Sequence, residues 1–273
     1  MSEKFPKTIY KYRDWKNLNH QRLLTDNELY TPSVNQINDP FDCLINFDYS
    51  DLEKGKISLR AADILFKEFG DELNKIGHNY LTITSIKDKE ELSKVINLKK
   101  KFDRDIIQKR KKHLGVISFS KRWDSILMWS HYSNCHSGFC VGFDTIKLIN
   151  SRNFQNGSDV KYKTDYPKVN PFDKSDKKLL QIFYNKSKDW EYEQEYRMTK
   201  IFGHHTEEDK FIKQKLFNFD NDFISEVIIG MKTSIAVKDK IIQTCREKNV
   251  SLYQIEDVPY KFELAKKQVF EAV

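Results

Sequence analysis

Residues 188–197 read Lys-Asp-Trp-Glu-Tyr-Glu-Gln-Glu-Tyr-Arg, so that carboxylates alternate with aromatic or amide side chains. This alternation is typical of a β-strand, in which successive side chains point to opposite faces. In such a strand Glu191, Glu193 and Glu195 share one face, and Arg197 closes it. Three like charges on one face raise at least one pKa when the site is enclosed. The segment therefore predicts a functional strand, although a solvated edge strand would show the same pattern.

Further strands and helices are predicted on both sides of this segment from the spacing of apolar residues. The predicted strands cover residues 8–13, 28–32, 114–120, 138–144, 159–163, 192–201, 223–230, 252–255 and 261–264. The predicted helices cover residues 17–27, 126–132, 174–188 and 233–248. Residues 138–144 are almost continuously apolar, which indicates a strand buried on both faces.

Residues 51–112 differ in character from the segments around them. Apolar residues recur there at helical spacing among many charged side chains, as in 59–73 and 90–112,. We therefore predict two or three amphipathic helices in this region. Because no repeat or low-complexity linker divides the chain, we expect an α+β fold in which residues 1–273 form a single domain with a helical insertion at about 51–112.

The composition points to a charged protein with a basic balance. Charged residues make up 32% of the chain, and the formal net charge is +7, which favours a polyanionic partner,. The basic runs at 99–101 and 109–112 could contribute to such a surface, or they are solvated helix faces. No CxxC pair occurs, and no apolar run approaches the ~20 residues that a bilayer span needs. We therefore expect a reduced, cytoplasmic protein without a membrane segment.

Two cysteines and two histidines lie close together in the sequence, so a metal cluster has to be considered. They are Cys135, Cys140, His131 and His136. Their spacing matches no zinc pattern, and Cys140 lies in an apolar run. A nucleophile formed by Cys135 and His131 has no obvious oxyanion hole. We therefore expect no metal site among these residues.

Motifs that occur in a fixed order along the chain carry a resemblance to a known family. They are Tyr-Lys-Tyr-Arg (10–13), Asn-Asp-Pro-Phe-Asp (38–42), Ser-Phe-Ser (118–120), Met-Trp-Ser-His-Tyr (128–132), Gly-Phe-Cys-Val-Gly-Phe-Asp (138–144) and Trp-Glu-Tyr-Glu-Gln-Glu-Tyr-Arg (190–197). The series resembles the bacterial family called domain of unknown function 2971 over nearly the whole chain. That family name carries no activity, so the chemistry has to come from the residues.

An arginine, a Ser-x-Ser and a Glu-x-Glu then follow in an order similar to the Arg–Ser–Glu arrangement of ADP-ribosyltransferases. These residues are Arg13, Ser118, Ser120, Glu193 and Glu195. The resemblance implies a mixed, strongly curved β-sheet core that uses NAD as a substrate. It implies that Arg13 holds the NAD phosphate or ribose and that Ser118 hydrogen-bonds the catalytic carboxylate. Glu195 is then the catalytic glutamate, which stabilises positive charge on the ribose, and Glu193 orients or deprotonates the acceptor.

The same resemblance places Ser120, Trp129, His131 and Tyr132 among the NAD-binding residues. An aromatic side chain could stack on nicotinamide, and Trp129, Tyr132 and Phe119 are alternatives for that role. His131 is either a substrate ligand or general acid–base at the edge of the pocket, or part of a helix packed on the sheet. The middle residue Phe119 departs from the commoner threonine of the motif.

The implied activity is ADP-ribosyl transfer from NAD to a macromolecule. The basic balance favours nucleic acid, DNA or RNA, over protein as the acceptor. A toxin or antiviral (phage-defence) role and a regulatory partner protein suit such an activity by analogy. Two alternatives remain. Asp39 and Asp42 could join Glu193 and Glu195 as Mg²⁺ ligands of a nuclease, or the carboxylates form surface ion pairs of a non-catalytic binding module.

Overall fold

The structure is a computed structural model, and it describes residues 5–173, 182–203 and 207–272. The strands are β1 Thr8–Arg13, β2 Glu28–Tyr30, β3 Leu114–Ser120, β4 Phe139–Asp144, β5 Asn156–Asp159, β6 Lys161–Lys163, β7 Asn185–Ser187, β8 Glu195–Ile201, β9 Leu216–Asn218, β10 Ile224–Ile229, β11 Leu252–Asp257 and β12 Leu264–Phe270. The helices are α1 Leu18–Thr25, α2 Ser50–Glu53, α3 Leu59–Lys75, α4 Tyr80–Ile83, α5 Lys89–His113, α6 Ile126–Tyr132, α7 Thr145–Asn150, α8 Glu208–Lys215 and α9 Ile235–Lys248.

Eight strands form one large mixed sheet in the order β12-β11-β10-β4-β1-β3-β8-β5. β10 and β11 run parallel, whereas the other neighbouring pairs of this sheet are antiparallel. The sheet has two ends, β12 and β5, so it does not close into a barrel. A mixed α and β fold is therefore confirmed, while the strong curvature and the ADP-ribosyltransferase-like architecture stay predictions. No helix of the described residues is long and apolar enough to cross a membrane.

The sheet core packs around β4, the almost continuously apolar strand at 139–144. Phe139, Val141 and Phe143 point into one apolar cluster and Cys140 into another on the opposite face, and all four are fully buried. Their alternation fits a strand covered on both sides, as the sequence predicts. Because β4 pairs with β1 along the whole of β1, the buried strand fixes the position of the first strand.

The helices α2 to α5 lie between β2 and β3 in the chain and have an apolar cluster of their own. Leu65, Leu73, Ile83 and Val95 are fully buried in it. Lys99 is also fully buried, and its ammonium group donates to Asp103 at 2.6 Å and to Glu68 at 3.0 Å. The helices predicted at 59–73 and 90–112 are confirmed.

The predicted strand at 192–201 is wrong in its first residues. Residues Lys188–Glu193 form a 3-10 helix, which begins where the Ser187 hydroxyl accepts a hydrogen bond from the backbone N–H of Asp189. Gln194 has φ of 43°, a left-handed conformation, and the strand begins only at Glu195. Glu191 is therefore exposed and does not share a strand face with Glu193 and Glu195.

Other boundaries also differ from the prediction. The helix predicted at 174–188 lies largely at 174–181, outside the described residues, and residues 185–187 form strand β7 instead. The last strand runs over Leu264–Phe270 rather than 261–264, because residues 258–263 form the turn that leads into it. The short elements α7, α8 and β9 have too few residues to show a period, so the sequence pattern does not predict them.

Candidate functional site

A cleft with a volume of about 710 Å³ opens beside β1, β3, the start of β8 and helix α6. All the predicted site residues except Trp129 line it, namely Arg13, Ser118, Ser120, His131, Tyr132, Glu193 and Glu195. Lys11, Asp42 and Lys186, which the site prediction does not include, line it as well. Residues far apart in the chain therefore meet in one place.

The order of the strands explains this convergence. β1, β3 and β8 are consecutive neighbours in the sheet. Ser118 lies opposite Arg197, and Ser120 lies opposite Glu195. Directly opposite residues of an antiparallel pair point to the same face. The two serines, Glu195 and Arg197 therefore share one face of the sheet at the end where the cleft opens.

Glu195 is held by a buried arginine two residues further along the same strand. Arg197 donates from Nε to one carboxylate oxygen of Glu195 at 2.5 Å and from Nη2 to the other at 2.9 Å. Its guanidinium also binds both oxygens of Asp42, at 2.9 and 2.7 Å. Arg197 is 0% exposed. A planar guanidinium that grips two carboxylates fixes the orientation of both.

Lys186 joins the two predicted catalytic glutamates. Its ammonium group donates to Glu193 at 2.5 Å and to Glu195 at 3.1 Å. The second oxygen of Glu193 accepts a hydrogen bond from the Tyr132 hydroxyl at 2.6 Å. The Ser120 hydroxyl donates to the backbone carbonyl of Glu193 at 2.7 Å, which fixes the turn before β8. The glutamates are thus held close together although they do not belong to one strand.

Their surroundings shift the pKa values of Glu193 and Glu195 in opposite directions. Burial by itself raises the pKa of Glu195, but the charges of Arg197 and Lys186 outweigh it and lower this pKa to about 2. The Ser118 side chain acts on this pKa in the same direction. Burial raises the pKa of Glu193 above its ordinary value in spite of Lys186. Glu195 is therefore ionised at neutral pH, and Glu193 is the stronger base.

The opposite wall of the cleft carries positive charge from β1. Burial lowers the pKa of Arg13 to about 10, and no carboxylate of the described residues pairs with it. Its guanidinium has a weak hydrogen bond to the carbonyl of Tyr12 at 3.4 Å. Lys11 donates to the carbonyl of Ser118, and burial followed by the Arg13 charge lowers its pKa. Both residues are half-buried, and neither forms an ion pair with a carboxylate of the described residues, so they offer a site for an anion,.

The structure does not bring Trp129 to the cleft. Its ring is 0% exposed, packs edge-on against Tyr12 at 5.1 Å and donates from Nε1 to the carbonyl of Trp123 at 2.7 Å. The prediction of Trp129 as an NAD contact is therefore corrected to a packing role. His131, on the same helix, is exposed, and its ring centroid lies 5.9 Å from that of Tyr192 at the edge of the cleft.

Arg13 and the glutamates line the same cleft but do not touch. No hydrogen bond or ion pair of the described residues joins Arg13 to Glu193 or Glu195. Arg13 and Lys11 alternate along β1 with the tyrosines at 10 and 12, which point to the other side of the strand. The cleft therefore has a positive end at β1 and a carboxylate end at β8.

The two carboxylates of the loop at 38–42 form contacts within the protein. The carboxylate of Asp39 accepts from the N–H of Phe41 at 2.8 Å, and this hydrogen bond closes a turn,. Asp42 pairs with Arg197. Among the described residues, no group of three or more His, Cys, Asp or Glu side chains is spaced to hold a metal ion. The acidic side chains of this region therefore form ion pairs and turns.

Two residues of the site, Lys186 and Lys11, carry little signal in the sequence. Lys186 lies in a segment predicted as a helix, so nothing relates it to the glutamates. Lys11 is one of many lysines, and only the cleft distinguishes it. Arg197 could have been found, because it follows Glu195 at the two-residue spacing of one strand face.

Lowering the pH is expected to weaken the protein through Glu195. Its folded pKa of about 2 lies below the unfolded value of about 4.3,. The stability that it contributes is therefore complete above the unfolded pKa and is lost as the pH falls through the folded pKa. Urea unfolding at several pH values between 5 and 2 should show a shallower decline for Glu195→Gln than for the wild type. Parallel declines would contradict this assignment.

Comparison with known families links part of the chain to one of them. The family described as "Protein of unknown function (DUF2971)" matches residues 128–198, a segment that includes Tyr132, Lys186, Glu193, Glu195 and Arg197. Comparison with curated proteins and with solved structures finds no match. Through this segment, which contains the carboxylate end of the cleft, the chain is similar to the DUF2971 family.

Proposed function

We propose that the protein is an NAD-dependent ADP-ribosyltransferase that modifies a macromolecule. The observation that carries the proposal is the shared cleft of Arg13, Ser118, Glu193 and Glu195. These residues come from or adjoin three neighbouring strands, β1, β3 and β8. A cleft of about 710 Å³ is in the size range of small-molecule sites,.

The positive end of the cleft fits the pyrophosphate of a dinucleotide. Arg13 and Lys11 are half-buried cations, and neither forms an ion pair with a carboxylate of the described residues. Partial burial removes some of the water around these charges, so an anionic ligand at this end would offset part of that cost. A guanidinium also binds phosphate oxygens in a bidentate manner. Arg13 and Lys11 would therefore hold and orient the dinucleotide.

The carboxylate end fits the cleavage of the bond between ribose and nicotinamide. When that bond breaks, its electron pair leaves with nicotinamide, and positive charge develops on the ribose. Glu195, ionised at neutral pH and held rigidly by Arg197, would stabilise this charge,. The Ser118 side chain also favours the ionised form of Glu195.

Glu193 fits the role of the base that activates the acceptor. A new bond forms between the ribose carbon and a nitrogen or oxygen atom of the acceptor, which has to lose a proton. Burial raises the pKa of Glu193, which makes its carboxylate a better base,. Tyr132 and Lys186 fix its two oxygens. The acceptor proton would pass to Glu193, which completes the transfer.

The acceptor that we favour is nucleic acid, because the chain carries a net charge of +7,. A role as a toxin or phage-defence effector would suit this activity. Release of nicotinamide from labelled NAD by the purified protein tests the basic reaction, and transfer of the label to added DNA or RNA tests the acceptor. A protein that releases no nicotinamide in the presence of either nucleic acid contradicts the proposal.

Replacing Arg13 by alanine is expected to weaken NAD binding about tenfold or more, because a charge-assisted contact to phosphate is lost. Isothermal titration calorimetry with NAD measures this change directly. Thermal unfolding of the same variant separates a binding defect from a folding defect. We expect its unfolding temperature to remain close to that of the wild type, since Arg13 has no ion-pair partner among the described residues.

Lys16→Ala is the matched control for this substitution. Lys16 lies three residues further along the chain and is exposed, so its removal changes the net charge by the same amount without reaching the cleft. NAD affinity should be unchanged in this control. Equal losses of NAD affinity in both variants would indicate a general charge effect. Unfolding of Arg13→Ala would mean that Arg13 stabilises the fold instead of binding NAD.

A further inference from the structure

A second cavity of about 710 Å³ adjoins the cleft. Much of its wall is aromatic or proline, from Pro40, Phe41, Tyr166, Pro167, Trp190 and Tyr192. Lys186 and Asn38 line both spaces. The two cavities are therefore neighbours that share part of a wall.

The second cavity lies close to the carboxylate end of the cleft, because Lys186 contacts residues of both. Its ammonium group is 2.5 Å from a Glu193 oxygen and 5.0 Å from the centre of the Trp190 ring. Tyr192 continues the aromatic wall, because its ring centroid lies 6.1 Å from that of Trp190 and 5.9 Å from that of His131 in the cleft. A group bound against Trp190 would therefore lie within reach of Glu193.

Two of the aromatic side chains of this cavity are exposed, whereas Trp190 and Tyr192 are half-buried. Phe41 is 64% exposed, and Tyr166 is 40% exposed. The Tyr166 hydroxyl donates to the carbonyl of Phe41 at 3.1 Å, so that the two loops that carry these rings are tied together. Large apolar side chains exposed around a concave surface indicate a binding site for a flat apolar group.

Polar and charged groups surround the aromatic wall. Asn38, Asp165 and Asp189 line the cavity and can pair with hydrogen-bond donors on the edge of a ring,. Exposed lysines follow the same two chain segments, at Lys161, Lys163, Lys168 and Lys188. Aromatic stacking surfaces beside lysines are the combination by which proteins hold single-stranded nucleic acid.

We propose that this second cavity binds a nucleobase of a single-stranded nucleic acid and thereby presents the acceptor to Glu193. The base stacks on the aromatic wall, its polar edge meets the amide and carboxylate groups, and the lysines contact the flanking phosphates. This assignment rests on the proposed function for the identity of the reaction. The binding of the nucleic acid itself needs no NAD, so it is measured separately.

The test uses the full chain and fluorescently labelled single strands of about twelve nucleotides, one of DNA and one of RNA. Fluorescence anisotropy without NAD gives the dissociation constants. Trp190→Ala is expected to weaken binding about tenfold or more, because one stacking contact is lost. Trp190→Phe, which keeps a stacking surface, should restore most of the affinity. The DNA and RNA strands distinguish the two sources of the base.

Phe262→Ala is the matched control. Phe262 is 99% exposed on the turn between β11 and β12, so the variant removes an exposed aromatic ring from another part of the surface. Its affinity should equal that of the wild type. Thermal unfolding of each variant shows whether it is folded.

Several results would overturn the assignment. A wild-type protein that binds neither strand, or a folded Trp190→Ala variant that binds as the wild type does, removes the nucleobase site. Displacement of the labelled strand by NAD would mean that the dinucleotide, and not a nucleobase, binds in this cavity. A wild type that binds the strand at this cavity but releases no nicotinamide overturns the proposed transferase while leaving the nucleic-acid site in place. The two failures are therefore distinguishable.

Discussion

Arg197→Met is expected to lower the free energy of unfolding by about 3–5 kcal/mol, the range for breaking a buried ion pair from one side. Arg197 is fully buried and binds Asp42 and Glu195 with both edges of its guanidinium. Removing it leaves two buried carboxylates with Lys186 as their nearest cation. Methionine fills a similar volume, so that the loss reports on charge rather than on a cavity.

Urea unfolding followed by circular dichroism measures this loss. Arg22→Met is the matched control, since Arg22 pairs with Asp26 and Glu28 but is 47% exposed. A surface pair of this kind contributes about 0–1 kcal/mol. Adding Asp42→Asn to Arg197→Met should recover part of the loss, because it removes one of the carboxylates left without a partner. Equal losses in Arg197→Met and Arg22→Met would mean that the buried network contributes little.

The second large effect is expected for Glu195→Gln in the presence of NAD. Nicotinamide release should fall about a hundredfold or more, the range found when one electrostatic contact to a transition state is removed. Glutamine keeps the shape of the side chain but carries no negative charge. The rate constant at saturating NAD should therefore fall, whereas NAD affinity, which depends on the β1 end of the cleft, should change little.

The control for this variant is Glu191→Gln. Glu191 is exposed and belongs to the same short segment, so the two variants differ in position and not in chemistry. Nicotinamide release should be unaffected in Glu191→Gln. Because the amide introduced by Glu195→Gln faces Arg197 without a charge, the thermal unfolding of that variant has to be measured and the assay run well below its unfolding temperature. A folded variant with wild-type release would remove Glu195 from the reaction.

Much of the fold can be predicted from apolar periodicity. The predictions for the strands at 8–13, 114–120 and 138–144 and for the helix at 126–132 agree with the structure within a residue or two, because each element buries at least one apolar side,. The alternation at 188–194 is misleading for a physical reason. Half-buried residues in a 3-10 helix can alternate in polarity by chance, and a turn with positive φ at Gln194 leaves no clear pattern in the sequence.

Some residues of the candidate site can be predicted from the sequence, but the ion pairs that Lys186 forms with the glutamates cannot. The resemblance to the Arg–Ser–Glu arrangement names Arg13, Ser118 and Glu195, and the structure places all three along one cleft. Lys186 cannot be named in this way, because its role depends on the position of the strand β7 next to the glutamates. The prediction for Trp129 fails because a helix period alone does not tell which of its sides faces a cavity.

The junction between α5 and β3 has a mechanical consequence for the cleft. Helix α5 ends at His113 and β3 begins at Leu114, so no flexible connection separates a 25-residue helix from the strand that carries Ser118. A ligand or protein that tilted α5 would transmit the displacement to that strand directly. A partner that binds helices α2 to α5 could then change turnover without touching the cleft. Crosslinking α5 to its neighbouring helices would abolish this effect on turnover.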